Sequence, residues 1–132
     1  MMVKRILGVV GSQFLMSGLA FGYNYSCHMS VFDKELRRVA KETFEVELTD
    51  SVVGKTGEVM IQTATSNSIK VKIHEMSNEE LFSTVVSAAV PEQDVSLSFS
   101  VDLSEGLDSF SIAGSGQVSE YLSASMSCVA SR

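Results

Sequence analysis

Few residues in this 132-residue chain have side chains that could carry chemistry: two cysteines, two histidines, and serines and carboxylates spread along its length. Cys27 and Cys128 permit a single intramolecular pairing, and a disulfide between them is the expected state in an oxidising compartment. No C-x-x-C occurs, which argues against a redox or catalytic role for either thiol. His28 and His74 fall on the polar phases of alternating segments, where an imidazole is ordinarily solvated. They would share a metal or sense pH only if those segments were neighbours, and a four-ligand zinc site would need both cysteines to converge as well. Serine is abundant, but no G-x-S-x-G surrounds any of them. Gly54-Lys55-Thr56 echoes the tail of a phosphate-binding loop, yet Thr49 stands where its first glycine belongs. No catalytic residue, metal or other cofactor is therefore expected, and the chain reads as a non-enzyme.

Carboxylates are the one chemical type that clusters. Glu42, Glu45 and Glu47, with Asp50 close behind, make the densest acidic stretch. Asp102, Glu105 and Asp108 gather three carboxylates and Ser104 around one turn. Such oxygens suit a hard cation, but the spacing is not that of an EF-hand, and a solvated loop is the ordinary reading. Glu45, Glu47, Asp102, Glu105 and Asp108 are the candidate acidic binding patch, open to a basic partner. The competing reading of the Glu45 segment is an edge strand guarded by charge.

These residues need elements to hold them. Lys4 and Arg5 precede seventeen uncharged residues, Ile6 to Gly22, and Ala20-Phe21-Gly22 places small residues at −3 and −1 of a cut before Tyr23. A basic start, an apolar stretch and such a site describe a secretory signal peptide over 1–22. The stretch is short for a membrane span and contains Ser12, Gln13, Ser17 and several glycines. No stable membrane insertion is expected once the leader is gone. What remains, 23–132, is one domain in length and keeps eight basic residues against sixteen acidic ones. That balance excludes a backbone-driven nucleic-acid binder and favours basic partners. Asn24-Tyr25-Ser26 is an N-glycosylation acceptor, relevant in a eukaryotic secretory pathway.

The domain reads with a period of two. Val95, Leu97, Phe99, Val101 and Leu103 alternate with Ser96, Ser98, Ser100 and Asp102, so one strand face is buried and the other wet. The same alternation runs through Tyr23–Val31, Phe44–Leu48, Ile69–Ile73 and Leu122–Cys128. One-sided alternation belongs to antiparallel sheets. Turn residues at 53–57, 66–68, 91–94, 104–108 and 114–116 separate the runs. They imply hairpins between 59–65 and 69–75, and between 95–103 and a strand beginning near Ser109. Two stretches also fit a helix. Leu36, Val39 and Ala40 have helical spacing behind Asp33, and Ser77 with Glu80 resembles a capping box. The β-branched run Thr84-Val85-Val86 draws 81–90 to strand, whereas 33–42 is read as partly helical.

The expected fold is mainly β: a small antiparallel β-sandwich or barrel with one or two short helices, α+β being the alternative. An exported chain of this kind, periplasmic or extracellular, is expected to be a binding or interaction domain for an unidentified protein or small ligand. Three rival readings are an acidic inhibitor of a basic secreted enzyme, a surface subunit assembling by strand addition, and a small hydrolase built around a histidine.

Overall fold

The computed structural model describes residues 23–52, 54–64, 67–77, 81–104 and 106–132, so the leader assigned to 1–22 and Glu105 lie outside the described residues. Nine strands follow one another: β1 (Asn24–Phe32), β2 (Arg38–Val46), β3 (Thr49–Ser51), β4 (Gly54–Gln62), β5 (Ser68–Ser77), β6 (Leu81–Ala89), β7 (Leu97–Ser104), β8 (Ser109–Gln117) and β9 (Ser123–Ser131). There is no helix among the described residues. The strands form two antiparallel sheets, ordered β2-β1-β9-β8 and β3-β4-β5-β6-β7. The sheets are separate, which makes the fold a sandwich and not a barrel.

Alternation explains the core. The apolar phase of β1 (Tyr25, Cys27, Met29, Val31) faces that of β5 and β6 (Ile69, Val71, Ile73, Val86, Ala88), and all are buried. Tyr23, Tyr25, Phe82 and Phe110 meet edge-to-face at ring separations of 4.9–6.1 Å near one end of the sandwich. Such contacts add about 0.5–1.5 kcal/mol per pair beyond the area they bury. The first and last strands are neighbours in the middle of their sheet, paired from Asn24↔Ser131 to Phe32↔Ser123. Cys27 stands directly opposite Cys128 in that register, and their disulfide is wholly buried. At the two lateral margins the sheets approach so closely that a glycine is required. A β-carbon on Gly57 would strike the Glu47 carbonyl, and one on Gly114 would lie 2.5 Å from the Phe99 ring.

Three local expectations are corrected. The 33–42 stretch is a turn followed by strand β2. The Asp33 carboxylate accepts the amides of Glu35 and Arg37, each at 2.9 Å, and Asp33 N–H donates to the Arg37 carbonyl. The residue read as a helix cap therefore closes a hairpin, with Leu36 at φ 64°. Pairing with β1 and packing of Val39, Ala40 and Phe44 on the core outweigh weak helical spacing. Gly54-Lys55-Thr56 belongs to strand β4 and Gly114-Ser115-Gly116 to strand β8, neither of them to a turn. Finally, β7 and β8 are consecutive but do not form a hairpin: the chain crosses from one sheet to the other between them. The strand reading of 81–90 holds as β6, and the 59–65/69–75 hairpin is present as β4–β5.

Candidate functional site

The middle of the outer face of the four-stranded sheet is rich in small hydroxyl side chains in register. One row across it runs Thr43, His28, Ser127, Ala113, and the next runs Lys41, Ser30, Ser125, Ser115. With Ser and Ala on the central and outer strands and longer groups on β2, the face sinks into a shallow concavity of about 440 Å³ around His28. His28 Nδ1 lies 2.9 Å from the Thr43 hydroxyl. Its hydrogen bond thus goes to a threonine, not to a serine supported by a carboxylate. Serine is a poor strand former compared with threonine or valine, so this face is not what strand propensity alone would select. Its side chains lose little rotamer freedom when covered, which lowers the cost of docking against it.

A second polar group sits between the sheets, at the end where β1 begins. Glu75 is only 3% exposed although it is ionisable. The Tyr25 hydroxyl donates to Glu75 Oε2 at 2.6 Å and lies 2.9 Å from Thr84 Oγ1. The Tyr23 backbone N–H donates to the same carboxylate oxygen at 3.2 Å. Burial pushes the Glu75 carboxyl above its ordinary value; the hydrogen bonds from Tyr25 and Tyr23 and the charges of Lys55 and Arg132 oppose that only in part. Tyr25 is driven strongly upward, first by burial and then by its bond to Glu75. Lys55, the register partner of Glu75 on β4, is held by Asp50 at 2.8 Å. Arg132 lies over the Tyr23 ring, 4.9 Å from its centroid.

The acidic candidates fall into two groups. Glu45 is exposed on edge strand β2, with Glu47 just beyond it, whereas Asp102 lies on β7 and Asp108 precedes β8. The two groups share one end of the sandwich but occupy opposite margins, separated by the width of a four-stranded sheet, roughly 15 Å at ordinary strand spacing. Asp102 accepts a 2.6 Å hydrogen bond from Ser83. His28 and His74 project from the outer faces of different sheets, so they are not brought together. Among the described residues no three of His, Cys, Asp and Glu converge.

No family model, curated protein or solved structure matches this chain.

Of these features, the Glu75 group was the one missed from sequence. Its signal is a phase violation: Glu75 continues the buried series Ile69, Val71, Ile73, where a carboxylate is out of place unless something inside receives it. The concavity leaves a fainter trace, the unusual run of serines on the wet phase of β9.

Proposed function

We propose that this is an exported, non-catalytic binding domain that uses the outer face of its disulfide-closed sheet. The observation that carries the reading is the hydroxyl-lined concavity around His28, a low-relief surface with many hydrogen-bonding groups and few long side chains to immobilise. Lys41 at its rim offers one cation, and Glu42 one carboxylate, so the partner contacted there is polar. The buried disulfide supports export, since such bonds persist in oxidising compartments.

The test is capture from the native envelope or medium by the purified protein and by two variants. Ser127→Arg places a long cation in the middle of the concavity. Ser100→Arg makes the same change on the outer face of the other sheet. Loss of the captured partner with the first variant and retention with the second supports the reading. Equal capture by both, or no capture at all, refutes it.

Assembly by strand addition is a second reading, favoured by the character of one edge. Edge strand β2 carries Arg38, Lys41, Glu42 and Glu45, and β3 has only three residues, both ordinary guards against pairing. Edge strand β8 is nine residues long with neither charge nor proline. Concentration-dependent association in sedimentation, abolished by Ser111→Lys, would favour it.

A further inference from the structure

The cut expected from the leader and the buried carboxylate meet at one atom. Cleavage between Gly22 and Tyr23 would turn the Tyr23 amide nitrogen into the α-amino group of the mature chain. That nitrogen is 3.2 Å from Glu75 Oε2. Tyr23 is itself only 3% exposed and is held in place from several sides. Its hydroxyl donates to the Leu107 carbonyl at 2.7 Å, and its ring packs edge-on against Phe82 and Phe110. Among the described residues, none of the ion pairs includes Glu75. A carboxylate buried without a counter-charge is expensive, and Lys55, the nearest candidate on β4, is already engaged by Asp50.

We propose that removal of the leader supplies the missing charge: the α-ammonium freed at Tyr23 forms a buried ion pair with Glu75, so that processing completes the fold. The proposal rests on the export reading. The chemistry is hydrolysis by a leader peptidase. Water cleaves the Gly22–Tyr23 peptide bond, Gly22 leaves as a carboxylate on the released leader, and the Tyr23 amine takes up a proton. Because Tyr23 is buried in the folded domain, the cut precedes folding. The groups facing the pair are Tyr25 from β1, Lys55 from β4, Thr84 from β6 and Arg132 following β9. The two cations compete with the ammonium for Glu75, but Arg132 is spread over the Tyr23 ring and Lys55 over Asp50. The Tyr25 hydroxyl, itself bonded to Thr84, holds the carboxylate in place for it.

The experiment uses the exported, processed protein. Its first residue is read by N-terminal sequencing and mass. A portion is acetylated at the α-amine in urea near pH 6.5, where lysines stay protonated, and then refolded. Acetylation removes the charge but leaves an N–H able to reach Glu75. Urea unfolding of the free and acetylated forms is compared for the wild type and for Glu75→Gln. The expected result is an N-terminal Tyr23 and a loss on acetylation of about tenfold or more in the folding constant, as for a charge-assisted bond replaced by a neutral one. In Glu75→Gln the loss falls to about twofold or less. Should Glu75→Gln fail to fold, the acylation rate of the α-amine decides. In the folded wild type it is protected at pH 8 and its pKa lies above the ~7.7–8.0 of a free terminus. A terminus at any other residue overturns both the proposal and the leader assignment behind it. A terminus at Tyr23 with no acetylation effect, an equal effect in both backgrounds, or an unprotected α-amine overturns the ion pair alone.

Discussion

Reducing the Cys27–Cys128 bond is the perturbation whose size the structure sets most directly. The bond closes a loop with a sequence separation of 101. On the chain-entropy account a loop of about 100 residues is worth about 4.7 kcal/mol, nearly all of it through the unfolded ensemble. Reduction leaves both sulfur atoms in the same buried place, so packing changes little and the effect reads the cross-link itself. At a urea m-value of about 1.5 kcal/mol/M, the unfolding midpoint should fall by about 3 M, and m should rise as the unfolded chain expands. The assay is equilibrium urea unfolding followed by far-UV circular dichroism, with and without a phosphine reductant, on protein pre-reduced in denaturant. A loss of that order would consume much of the net stability of a domain this size. Native protein should also resist the reductant for as long as it stays folded, because neither sulfur is exposed. Midpoints that agree within about 0.5 M would refute the reasoning, as would two free thiols in protein denatured without reductant.

Other outcomes follow from single contacts. Gly57→Ala drives a β-carbon against the Glu47 carbonyl, a backbone atom that cannot swing away, and should lower stability by about 1–3 kcal/mol in thermal or urea unfolding. Tyr25→Phe removes the donor to Glu75 and a partner of Thr84 and should cost about 1–3 kcal/mol near pH 7. In α-acetylated protein the Glu75 carboxyl is raised in the folded state, so between its ordinary value of 4.5 and that raised value the native state binds more protons than the unfolded one. Stability must then decline as pH rises through that window; Glu75→Gln should flatten the decline and Tyr25→Phe should steepen it, read as urea midpoints across a pH series. Refolding with the disulfide intact should be faster than refolding of the reduced chain, measured by stopped-flow fluorescence of the tyrosines, because the β1–β9 contact is the one most distant in sequence.

Sequence periodicity revealed which residues face inward but not which sheet they belong to. The inward series of β1, β5, β7 and β9 were all visible as alternation, and with them Cys27 and Cys128 on buried phases, whereas β6 was read as strand only from its β-branched run. Alternation carries no information about strand order, so β7 and β8 looked like a hairpin although they belong to different sheets. The 33–42 stretch failed for a different reason. Leu36 supplied a helical spacing while being an exposed turn residue, so one point of the apparent periodicity never faced the core. The acidic residues were read as one patch from charge alone, whereas Glu45 and Asp102 stand on opposite margins because β2 and β7 are edge strands of different sheets. Glu75 went unread because a charged residue at the end of an apolar run looks like the run's boundary. Only the opposite sheet could show that Tyr25 and Tyr23 reach it across the interior.

The placement of the first and last strands gives these details a common logic. Strands β3 to β7 pair in chain order, so their sheet can be built from successive local hairpins. The other sheet cannot: its central pair joins β1 to β9, which exist together only when the whole chain is available. Closing it carries the largest loop-entropy cost in the fold. The three features that resist its reopening all act on that late step. The disulfide links the central pair directly, Tyr23 locks the start of β1 under the Leu107 carbonyl, and Glu75 holds the same end of β1 to the opposite sheet. A chain released from its leader only at Tyr23 would bring the charge that binds Glu75 to the very strand that must dock last. The sandwich is thereby stabilised where its topology makes it weakest, and the solvent face of that same late-closing sheet carries the concavity around His28.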